Sequence, residues 1–572
     1  MKKKQKKFIF VTGGVVSGLG KGVSAASIGR LLKRRGLNVF SIKFDPYLNI
    51  DPGTMSPLQH GEVYVTKDGG ETDLDLGHYE RLINTNLTIE SSVTSGKIYS
   101  AVLENERNGV YLGKTIQIIP HITNEIKKRL FDAFDALEKT DVCICEIGGT
   151  VGDIESLPFL EAVRQVRREL GVENTFFLHN TLVPYLYTSL EPKTKPTQHS
   201  VKELTGLGIQ PDAILLRCEK SLDKETREKV ALFCNVDNED VIFVQDVPLI
   251  YQVALELQKQ HLDDVIVKHL KLKCNDSANM NDWKKYVNKV LNIRECVNIS
   301  LVGKYTELHD AYLSVIEALK HAAYEMNRNV NINWVDSNKL TEENVVEKLK
   351  DSQGIIVPGG FGSRGTIGMK YAIKYARENN IPYFGICLGM QISVIEYARN
   401  VLKYTDANSG EFNPNSEHKV IDFLPDQSDE VAKGGTLRLG AYPCKVNEGT
   451  MLYECYKSNE ISERHARCLL GVNDVREQLS LLDEIRTKKM PVRELEALIK
   501  NRENGTDINI NNDEGNYSNN ENNNIGESLN NMFIKANKKI SKQNWWTNKS
   551  NKKSSSTYWI VSQKITIYRR RC

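Results

Sequence analysis

The chain has 572 residues, a formal net charge of +3 and 26% charged side chains. The near balance of charge excludes the strong basic field of a nucleic-acid-binding or membrane-surface protein, and no run of about 18 apolar residues predicts a membrane span. The 11 scattered cysteines argue against a disulfide framework or a zinc site, so we expect a cytoplasmic protein with reduced thiols and about two to four domains.

The first half of the chain alternates short apolar runs with helical patterns, from residue 8 to about 272. One helical pattern covers 22–35 and stops at Gly36. This alternation is typical of a parallel sheet with helices on both faces, so we predict an α/β fold. The expected strands lie near residues 8–11, 38–42, 142–145, 174–178 and 213–216.

A glycine-rich segment, residues 12–23, follows the first predicted strand and opens the first predicted helix. In that context backbone N–H groups can wrap a phosphate and Lys21 supplies a positive charge. The residue after this lysine is Gly22, where a standard P-loop has the Ser or Thr that binds magnesium. The sequence therefore predicts a phosphate site whose metal is held by carboxylates elsewhere.

Two carboxylates are candidates for that metal. Asp75 lies in an acidic segment, 71–79, and Glu146 ends an apolar run where a metal-binding acid would follow a strand. Asp73 competes with Asp75, and the sequence does not choose between them.

Two further polar segments suggest a nucleotide. Residues 193–198 place two lysines and two threonines around a proline, which is a rigid loop suited to phosphate. Asp153 and Glu155 follow a glycine-rich turn and could accept hydrogen bonds from a ribose or a base. Each of these features alone is only suggestive.

A linker with a short helix, 273–296, precedes a second α/β region. This region is expected to contain a strand at 297–302, an amphipathic helix at 310–326 and a strand at 354–357. Within it, Cys387 lies between an apolar strand and a helical run with a glycine two residues away on either side. That pattern predicts a nucleophile elbow, in which a thiolate sits at the N-terminus of a helix.

The end of the chain changes character. From about residue 472 the pattern is helical, and from Asn501 onward the chain is rich in Asn, Lys and Ser. Such a composition buries too little apolar surface to fold, so we expect disorder there.

Long strings of this chain closely resemble the CTP synthase family over roughly residues 7–465. They include residues 10–17, 43–47, 51–57, 59–62, 71–81, 146–156 and 193–200. The resemblance implies two doubly wound parallel-sheet domains and a disordered tail. The implied boundaries are 1–272 for an ATP-dependent amidoligase domain, 273–296 for a linker, 297–470 for a class I glutaminase domain that lacks its C-terminal part, and 471–572 for a divergent tail.

The same resemblance implies roles for individual residues. Catalysis would involve Lys21, Lys43 and Cys387, and magnesium would be held by Asp75 and Glu146. The nucleotides would be bound by Ser17, Gly18, Leu19, Gly20, Lys21, Gly22, Asp75, Asp153, Ile154, Glu155, Lys193, Thr194, Lys195, Pro196, Thr197, Gln198, Lys229, Gln245, Asp246 and Val247. Glutamine would be held by Gly360, Leu388, Gly389, Gln391 and Glu411, and His60 would lie near the ammonia path.

The implied reaction is the amination of UTP to CTP. ATP would phosphorylate O4 of the uracil ring, and ammonia from glutamine would then displace the phosphate. The resemblance also implies Mg²⁺, activation by GTP, and a homotetramer that can form filaments, with no nucleic-acid or membrane partner.

Two departures from the family pattern occur in the second region. The segment 303–310 matches a region tied to GTP activation, but His309 stands where a proline is expected. The glutaminase is affected by the other departure, since the His-Pro-x-Glu string that supplies the base for the cysteine is absent. After Cys387 the histidines are His418 and His465, the latter in a stretch that is not expected to carry the base. Either the protein is a synthase limited to free ammonia, or the sequence after about residue 470 is a misassembled or alternative end of a longer protein; the abrupt change of composition favours the second.

Two other function classes compete with this interpretation. A P-loop carboxylate amidase or carboxylase shares the glycine-rich loop, but the segments 153–155 and 193–198 argue for a pyrimidine nucleotide. A non-catalytic nucleotide-binding or filament subunit is opposed for the first domain by the intact set of Lys21, Asp75 and Glu146, whereas the missing base favours it for the second domain.

Overall fold

A computed structural model describes residues 5–135, 139–423, 438, 440 and 441. The helices expected after residue 472 and the tail expected to be disordered lie outside the described residues, as does His465. In the described part of the chain, no helix combines the length and apolar character needed to cross a bilayer.

The first sheet region, residues 5–292, contains a seven-stranded parallel sheet flanked by helices. Its strands and two-residue ribbons are β1 (Phe8–Gly13), β2 (Val39–Asp45), β3 (Tyr64–Val65), β4 (Glu71–Thr72), β5 (Ser92–Thr94), β6 (Val142–Ile147), β7 (Thr175–Val183), β8 (Tyr185–Leu186), β9 (Glu191–Pro192), β10 (Ala213–Cys218) and β11 (Val241–Gln245). Its helices are α1 (Lys21–Arg34), α2 (Pro57–His60), α3 (Asp75–Ile83), α4 (Ser95–Arg107), α5 (Thr123–Asp135), α6 (Leu157–Leu170), α7 (Lys195–Gly206), α8 (Lys224–Cys234), α9 (Val253–Lys259), α10 (Leu262–His269) and α11 (Asn281–Asn292).

The strand order of the large sheet is β11-β10-β7-β1-β6-β2-β5. Every residue of β1 is buried, as expected for a central strand that is covered by helices on both faces. The chain leaves β1 toward β2 on one side and later returns to β7 on the other. Ligands of such sheets bind where the strand order reverses, at the carboxyl ends of the strands. The loop after β1 lies at that place.

The second sheet region, residues 296–423, contains a four-stranded parallel sheet in the order β13-β12-β14-β15. Its strands are β12 (Cys296–Gly303), β13 (Asn329–Asp336), β14 (Gly354–Val357) and β15 (Tyr383–Gly385), followed by the small pair β16 (Asn408–Ser409) and β17 (Lys419–Ile421). Its helices are α12 (Leu313–Glu325), α13 (Val345–Leu349), α14 (Thr366–Glu378) and α15 (Leu388–Asn400).

These elements confirm the predicted α/β class with two parallel sheets. Some element ends differ from the prediction for a local reason. The strand β2 continues to Asp45, because it pairs with both β6 and β5, and Lys43 therefore lies inside a strand. The helix α12 begins at Leu313 rather than 310, because His309–Tyr312 forms a 3₁₀ turn.

A buried charge cluster fixes the end of α1. The Arg35 guanidinium donates to Asp263 at 2.7 Å, to Asp264, and to the backbone carbonyl of Asp276 at 2.8 Å. Only 3% of the Arg35 side chain and 2% of the Asp263 side chain are exposed. Removing one member of such a buried pair leaves the other charge without compensation.

We therefore predict that Arg35→Met lowers the free energy of unfolding by about 3–5 kcal/mol. The neighbouring substitution Arg34→Met is the matched control, because Arg34 pairs with Asp282 at the surface, and such pairs contribute about 0–1 kcal/mol. Urea denaturation of both variants measures the difference. Equal decreases in the free energy of unfolding of the two variants would show that the buried ion cluster stabilises the fold no more than the surface pair does.

Candidate functional site

The loop between β1 and α1 forms the predicted phosphate cradle. Its tip is open to solvent at Ser17 and Gly18, whereas Leu19 is buried. The Gly14 N–H donates to the carbonyl of Asn180 at 3.0 Å, which fixes the start of the loop on β7. Gly20 has φ 80° and directly precedes α1, which begins at Lys21. The first N–H groups of α1 have no partner within the helix and point toward the loop.

Lys21 lies at the start of α1 and points back under the loop. Its ammonium donates to the carbonyl of Gly149, and its methylenes pass against Gly13. Burial lowers the pKa of Lys21, and the nearby Glu146 carboxylate opposes that shift. A partly desolvated ammonium at a phosphate loop is a strong partner for a phosphate oxygen.

Three predicted residues meet at the carboxyl ends of β2 and β6. The Lys43 ammonium donates to Asp75 and, at 3.1 Å, to Glu146 Oε1. Burial alone would lower the pKa of Lys43, but the two carboxylates outweigh it and raise the pKa above the ordinary value. Burial likewise opposes ionisation of Asp75, yet Lys43 holds the pKa of Asp75 below its ordinary value. The three groups form a charged cluster beside Lys21.

The structure gives a reason for Gly22. A Cβ at this position would overlap Asp75 Oδ1 and lie 3.3 Å from Glu146 Oε2. The carboxylates of Asp75 and Glu146 thus occupy the place where a P-loop hydroxyl would project. Hard carboxylate oxygens beside a phosphate cradle suit Mg²⁺, which is usually bound through one or two carboxylates plus phosphate oxygens and water. In the described ranges no group of three or more His, Cys, Asp or Glu side chains is arranged to hold a metal.

Other polar groups line the same cluster: Tyr79 and Asp45, which the sequence did not single out, and Asp73, the competitor of Asp75. The Tyr79 hydroxyl donates to Glu146, and Asp45 lies 3.9 Å from Lys43. Burial raises the pKa of Asp45 well above its ordinary value, and burial raises that of Asp73 to about 6. The strand β2 also contains Ser41 and Lys43, so no pattern set Asp45 apart, and nothing in the sequence singled out Tyr79.

The segment 193–198 divides into anchors and open side chains. Thr197 is fully buried and donates to Thr181 at 3.1 Å, and Gln198 donates to Thr194 at 3.1 Å. Lys195 is exposed, whereas Lys193 and Pro196 are half-buried. The lysines are therefore the side chains of this segment that are available to a ligand.

Most of the remaining predicted nucleotide residues lie at or after the carboxyl ends of strands, whereas Lys229 lies within a helix. Asp153, Ile154 and Glu155 are exposed and follow the turn at Gly149, where the Asp153 carboxylate accepts from the Thr150 N–H at 2.7 Å. Gln245 ends β11, followed by Asp246 and Val247, and Lys229 lies on α8.

Arg217 connects two parts of this edge and was not predicted. It donates to Asp246 at 2.9 Å and to the carbonyl of Gly18 at 2.8 Å. Arg217 is the single charged residue of β10, which is the signal that was available in the sequence. It ties the phosphate loop to the segment 245–247.

Cys387 lies between β15 and α15 in the predicted elbow. Its backbone has φ 50° and ψ −107°, a strained conformation for a residue with a side chain. The helix packs closely against the sheet, because a Cβ on Gly389 would overlap the backbone of Val357. The thiol is thus held at the N-terminus of α15, where the helix dipole favours a thiolate.

The predicted glutamine residues surround this elbow. An ideal Cβ placed on Gly359 would lie 3.4 Å from Cys387 Cβ, and Gly360 is the next residue. Leu388 and Gly389 are buried in the first turn of α15, and the Gln391 N–H donates to the Cys387 carbonyl at 3.0 Å.

Lys304 was not predicted, although it stands beside this loop. Its buried ammonium donates to the Phe361 carbonyl at 2.8 Å and to that of Gly362. Burial and the Arg364 charge lower the pKa of Lys304 to about 8, while Glu411 opposes the shift. Lys304 therefore fixes the loop that follows Gly360 and lies within electrostatic range of Glu411.

His60 lies where the two sheet regions meet. It ends α2, and the next residues contact the start of α12: the Glu62 N–H donates to the Asp310 carbonyl at 3.0 Å, and the Ser314 N–H donates to the Glu62 carboxylate at 2.8 Å. A carboxylate of one region thus caps a helix of the other. Arg438, which lies beyond the second sheet region in the chain, donates to Glu71 at 3.0 Å.

The histidines of the second region are occupied by other contacts. His309 stacks on Trp334 with ring centres 3.9 Å apart, and His321 contacts the Tyr251 hydroxyl at 2.6 Å. His418 is bonded to Asp406 at 2.6 Å, beyond the C-terminal end of α15. A helix of 13 residues is about 20 Å long, so His418 and Cys387 lie at opposite ends of α15.

Comparison with known proteins found two family models. The model described as CTP synthase N-terminus matches residues 7–272, and the model described as glutamine amidotransferase class-I matches residues 307–543. A CTP synthase of Geobacillus kaustophilus is 58% identical over 459 residues, which cover 80% of this chain and 86% of that protein. A CTP synthase of Bacillus subtilis is 56% identical over 473 residues, which cover 83% and 88%.

The geometry at Gly22 gives a test of the phosphate site. We predict that Gly22→Ala weakens ATP binding at least about tenfold, because the new Cβ displaces the Asp75 carboxylate and overpacking of this kind typically costs about 1–3 kcal/mol. Calorimetric titration with ATP measures the effect. Gly206→Ala is the control, since a Cβ there meets nothing within 4 Å. Unchanged ATP affinity in Gly22→Ala would contradict the geometry.

Proposed function

Because the chain belongs to the CTP synthase family and catalyses the glutamine-dependent amination of UTP to CTP, we propose residue-level roles for that reaction. The domain boundaries follow the sequence: amidoligase 1–272, linker 273–296, glutaminase 297–470 and a divergent tail 471–572. One observation carries the proposal. Lys43, Asp75 and Glu146 converge beside Lys21 at the carboxyl edge of the sheet, next to the phosphate loop.

In the amidoligase, the residues position the phosphates and neutralise charge. ATP lies with its phosphates on the loop 17–22, and its adenine borders 245–247. UTP is held by 153–155, 193–198 and Lys229. The O4 atom of the uracil ring attacks the γ-phosphorus, ADP leaves, and ammonia then displaces phosphate from C4. Lys21 and Lys43 stabilise the negative charge that moves between the oxygens during transfer.

Mg²⁺ belongs to this proposal, with Asp75 and Glu146 as its protein ligands. The metal would neutralise phosphate charge, and the chain's own contribution is to hold two carboxylates against α1 and Lys43. Activation by GTP, assembly into a homotetramer that can form filaments, and a cytoplasmic location are likewise proposed from the family resemblance.

In the glutaminase, the Cys387 thiolate attacks the side-chain amide of glutamine and forms a thioester, ammonia leaves, and water releases glutamate. The loop that contains Gly360 supports this role, because it approaches Cys387 and is fixed by Lys304. Gln391 and Glu411 hold the glutamine. Ammonia then passes His60, at the contact of α2 with α12, toward the phosphorylated uracil.

The direct test is CTP formation from ATP, UTP and Mg²⁺ with two nitrogen donors in parallel, ammonium chloride and glutamine plus GTP. We expect activity with both donors. Activity with ammonia alone would support the amidoligase roles and show that the absent His-Pro-x-Glu string limits the glutaminase. No activity with either donor would overturn the proposal.

The choice between the two acidic candidates for magnesium is testable. We predict that Asp75→Asn raises the magnesium concentration for half-maximal activity at least about tenfold in the ammonia reaction, because Asp75 faces Gly22 and contacts Lys43. Asp73→Asn is the matched control and should raise it much less. A larger effect of Asp73→Asn would assign the metal to Asp73.

The role of Cys387 gives a second prediction. Cys387→Ala should abolish CTP formation with glutamine, since no thiol remains to form the thioester, and leave the ammonia reaction within about twofold of the unmodified protein. Cys296→Ala, at an exposed cysteine of the same sheet region, should leave both reactions unchanged. Initial rates with each donor measure the split. Retained glutamine activity in Cys387→Ala would exclude Cys387 as the nucleophile.

A further inference from the structure

A buried histidine joins the phosphate loop to the UTP segment. His179, in the middle of β7, is fully buried. Its Nδ1 is hydrogen-bonded to Thr12 Oγ1 and its Nε2 to Ser200 Oγ, each at 2.8 Å. Thr12 lies in β1 directly before the phosphate loop, and Ser200 lies in α7, which begins within the segment 193–198. The chain Thr12–His179–Ser200 therefore spans the two proposed nucleotide-binding elements.

The hydrogen-bonded series Thr12–His179–Ser200 is closely packed at Gly14. A Cβ on Gly14 would overlap Ser200 Oγ, lie 2.8 Å from Ser200 Cβ, and lie 3.2 Å from His179 Nε2. The first glycine of the loop thus rests directly on the contact between His179 and Ser200. Close-packed interiors transmit small displacements, because no void exists to absorb them.

A second hydroxyl holds α7 on the same face of β7. His179 and Thr181 are two residues apart in the strand, so their side chains share a face. Thr181 accepts from Thr197, as His179 contacts Ser200. Of these two contacts with α7, the one at His179 is extended to β1 by the hydrogen bond between His179 and Thr12. The contact at Thr181 has no such hydrogen bond to β1 among the described residues.

The imidazole is suited to such a bridge in its neutral form. Burial and the charge of Lys21 lower the pKa of His179 to about 3. One ring nitrogen of a neutral imidazole donates and the other accepts, so both hydroxyls are satisfied without a buried charge.

We propose that His179 is a positioning residue that couples ATP binding at the phosphate loop to UTP binding at the segment 193–198, through hydrogen bonds to Thr12 and Ser200. The inference rests on the proposed function, because it takes the two nucleotide assignments from there. It concerns how the two sites cooperate, and no reacting atom touches His179.

The experiment measures the dissociation constant (Kd) of UTP by calorimetric titration with Mg²⁺, without and with an ATP analogue whose γ-phosphate cannot be transferred. In the unmodified protein we expect UTP to bind at least about fivefold more tightly with the analogue. Ser200→Ala should reduce this ratio to less than about twofold. Thr205→Ala is the matched control, because Thr205 is on the same helix and its hydroxyl bonds only to α7 itself, so the ratio should stay at the unmodified value.

Two substitutions of the histidine separate its two bonds. The amide of His179→Gln reaches toward Ser200 and that of His179→Asn toward Thr12, and each should lose the coupling while UTP alone still binds. A purely structural role would lower the melting temperature and leave the ratio of the two Kd values unchanged. An unchanged ratio in Ser200→Ala, or no coupling in the unmodified protein, overturns the inference. Absence of any UTP binding would instead overturn the proposed nucleotide site.

Discussion

One buried ammonium group between two carboxylates organises the site of the first sheet region. Lys43 is 5% exposed and its charge is stable there only because Asp75 and Glu146 face it. The three residues come from β2, α3 and β6, so the ion cluster requires these elements to keep one arrangement. The same carboxylates crowd Gly22 at the start of α1 and thereby fix the lysine that serves the phosphate loop. Partnered charges of this kind are costly to disturb, and this makes the site rigid before any ligand arrives.

The second sheet region is attached to the first through contacts on the helix α12. Glu62 follows the short helix with His60 and caps α12 of the other region, and Tyr251 donates to Glu317 further along the same helix. Two contacts on one helix define its direction as well as its position. The nucleophile elbow and α12 belong to the same sheet region. The bonds from Glu62 and Tyr251 to α12 therefore also help to set the distance between the elbow and the phosphate site.

The sequence predicted the elements that carry a regular signal, and it missed the partners that only the fold brings together. The apolar runs and glycine-rich turns located β1, α1 and the elbow at Cys387, because period and turn chemistry are local properties. Asp75 and Glu146 were candidates because one lies in an acidic segment and the other ends an apolar run; their metal role stays a prediction. Thr197 and Gln198, which the resemblance assigns to nucleotide binding, are buried, and their role stays a prediction. Their burial depends on the strand beneath them, which the local sequence does not show. Arg217, Tyr79 and His179 act across elements far apart in the chain, and no local pattern marks such contacts.

The position of the thiol and the identity of its proton acceptor are separate questions in this chain. The elbow at Cys387 depends on β14, β15 and α15, all within the described residues, and its backbone strain is held by the close packing of Gly389 on Val357. A proton acceptor must in addition lie within hydrogen-bond reach of the sulfur or of one intervening water. His418 is excluded by the length of α15, and His309 and His321 are engaged by Trp334 and Tyr251. Cys387 lies at the N-terminus of α15, whose dipole lowers the cost of a negative charge on the sulfur whichever group removes the proton.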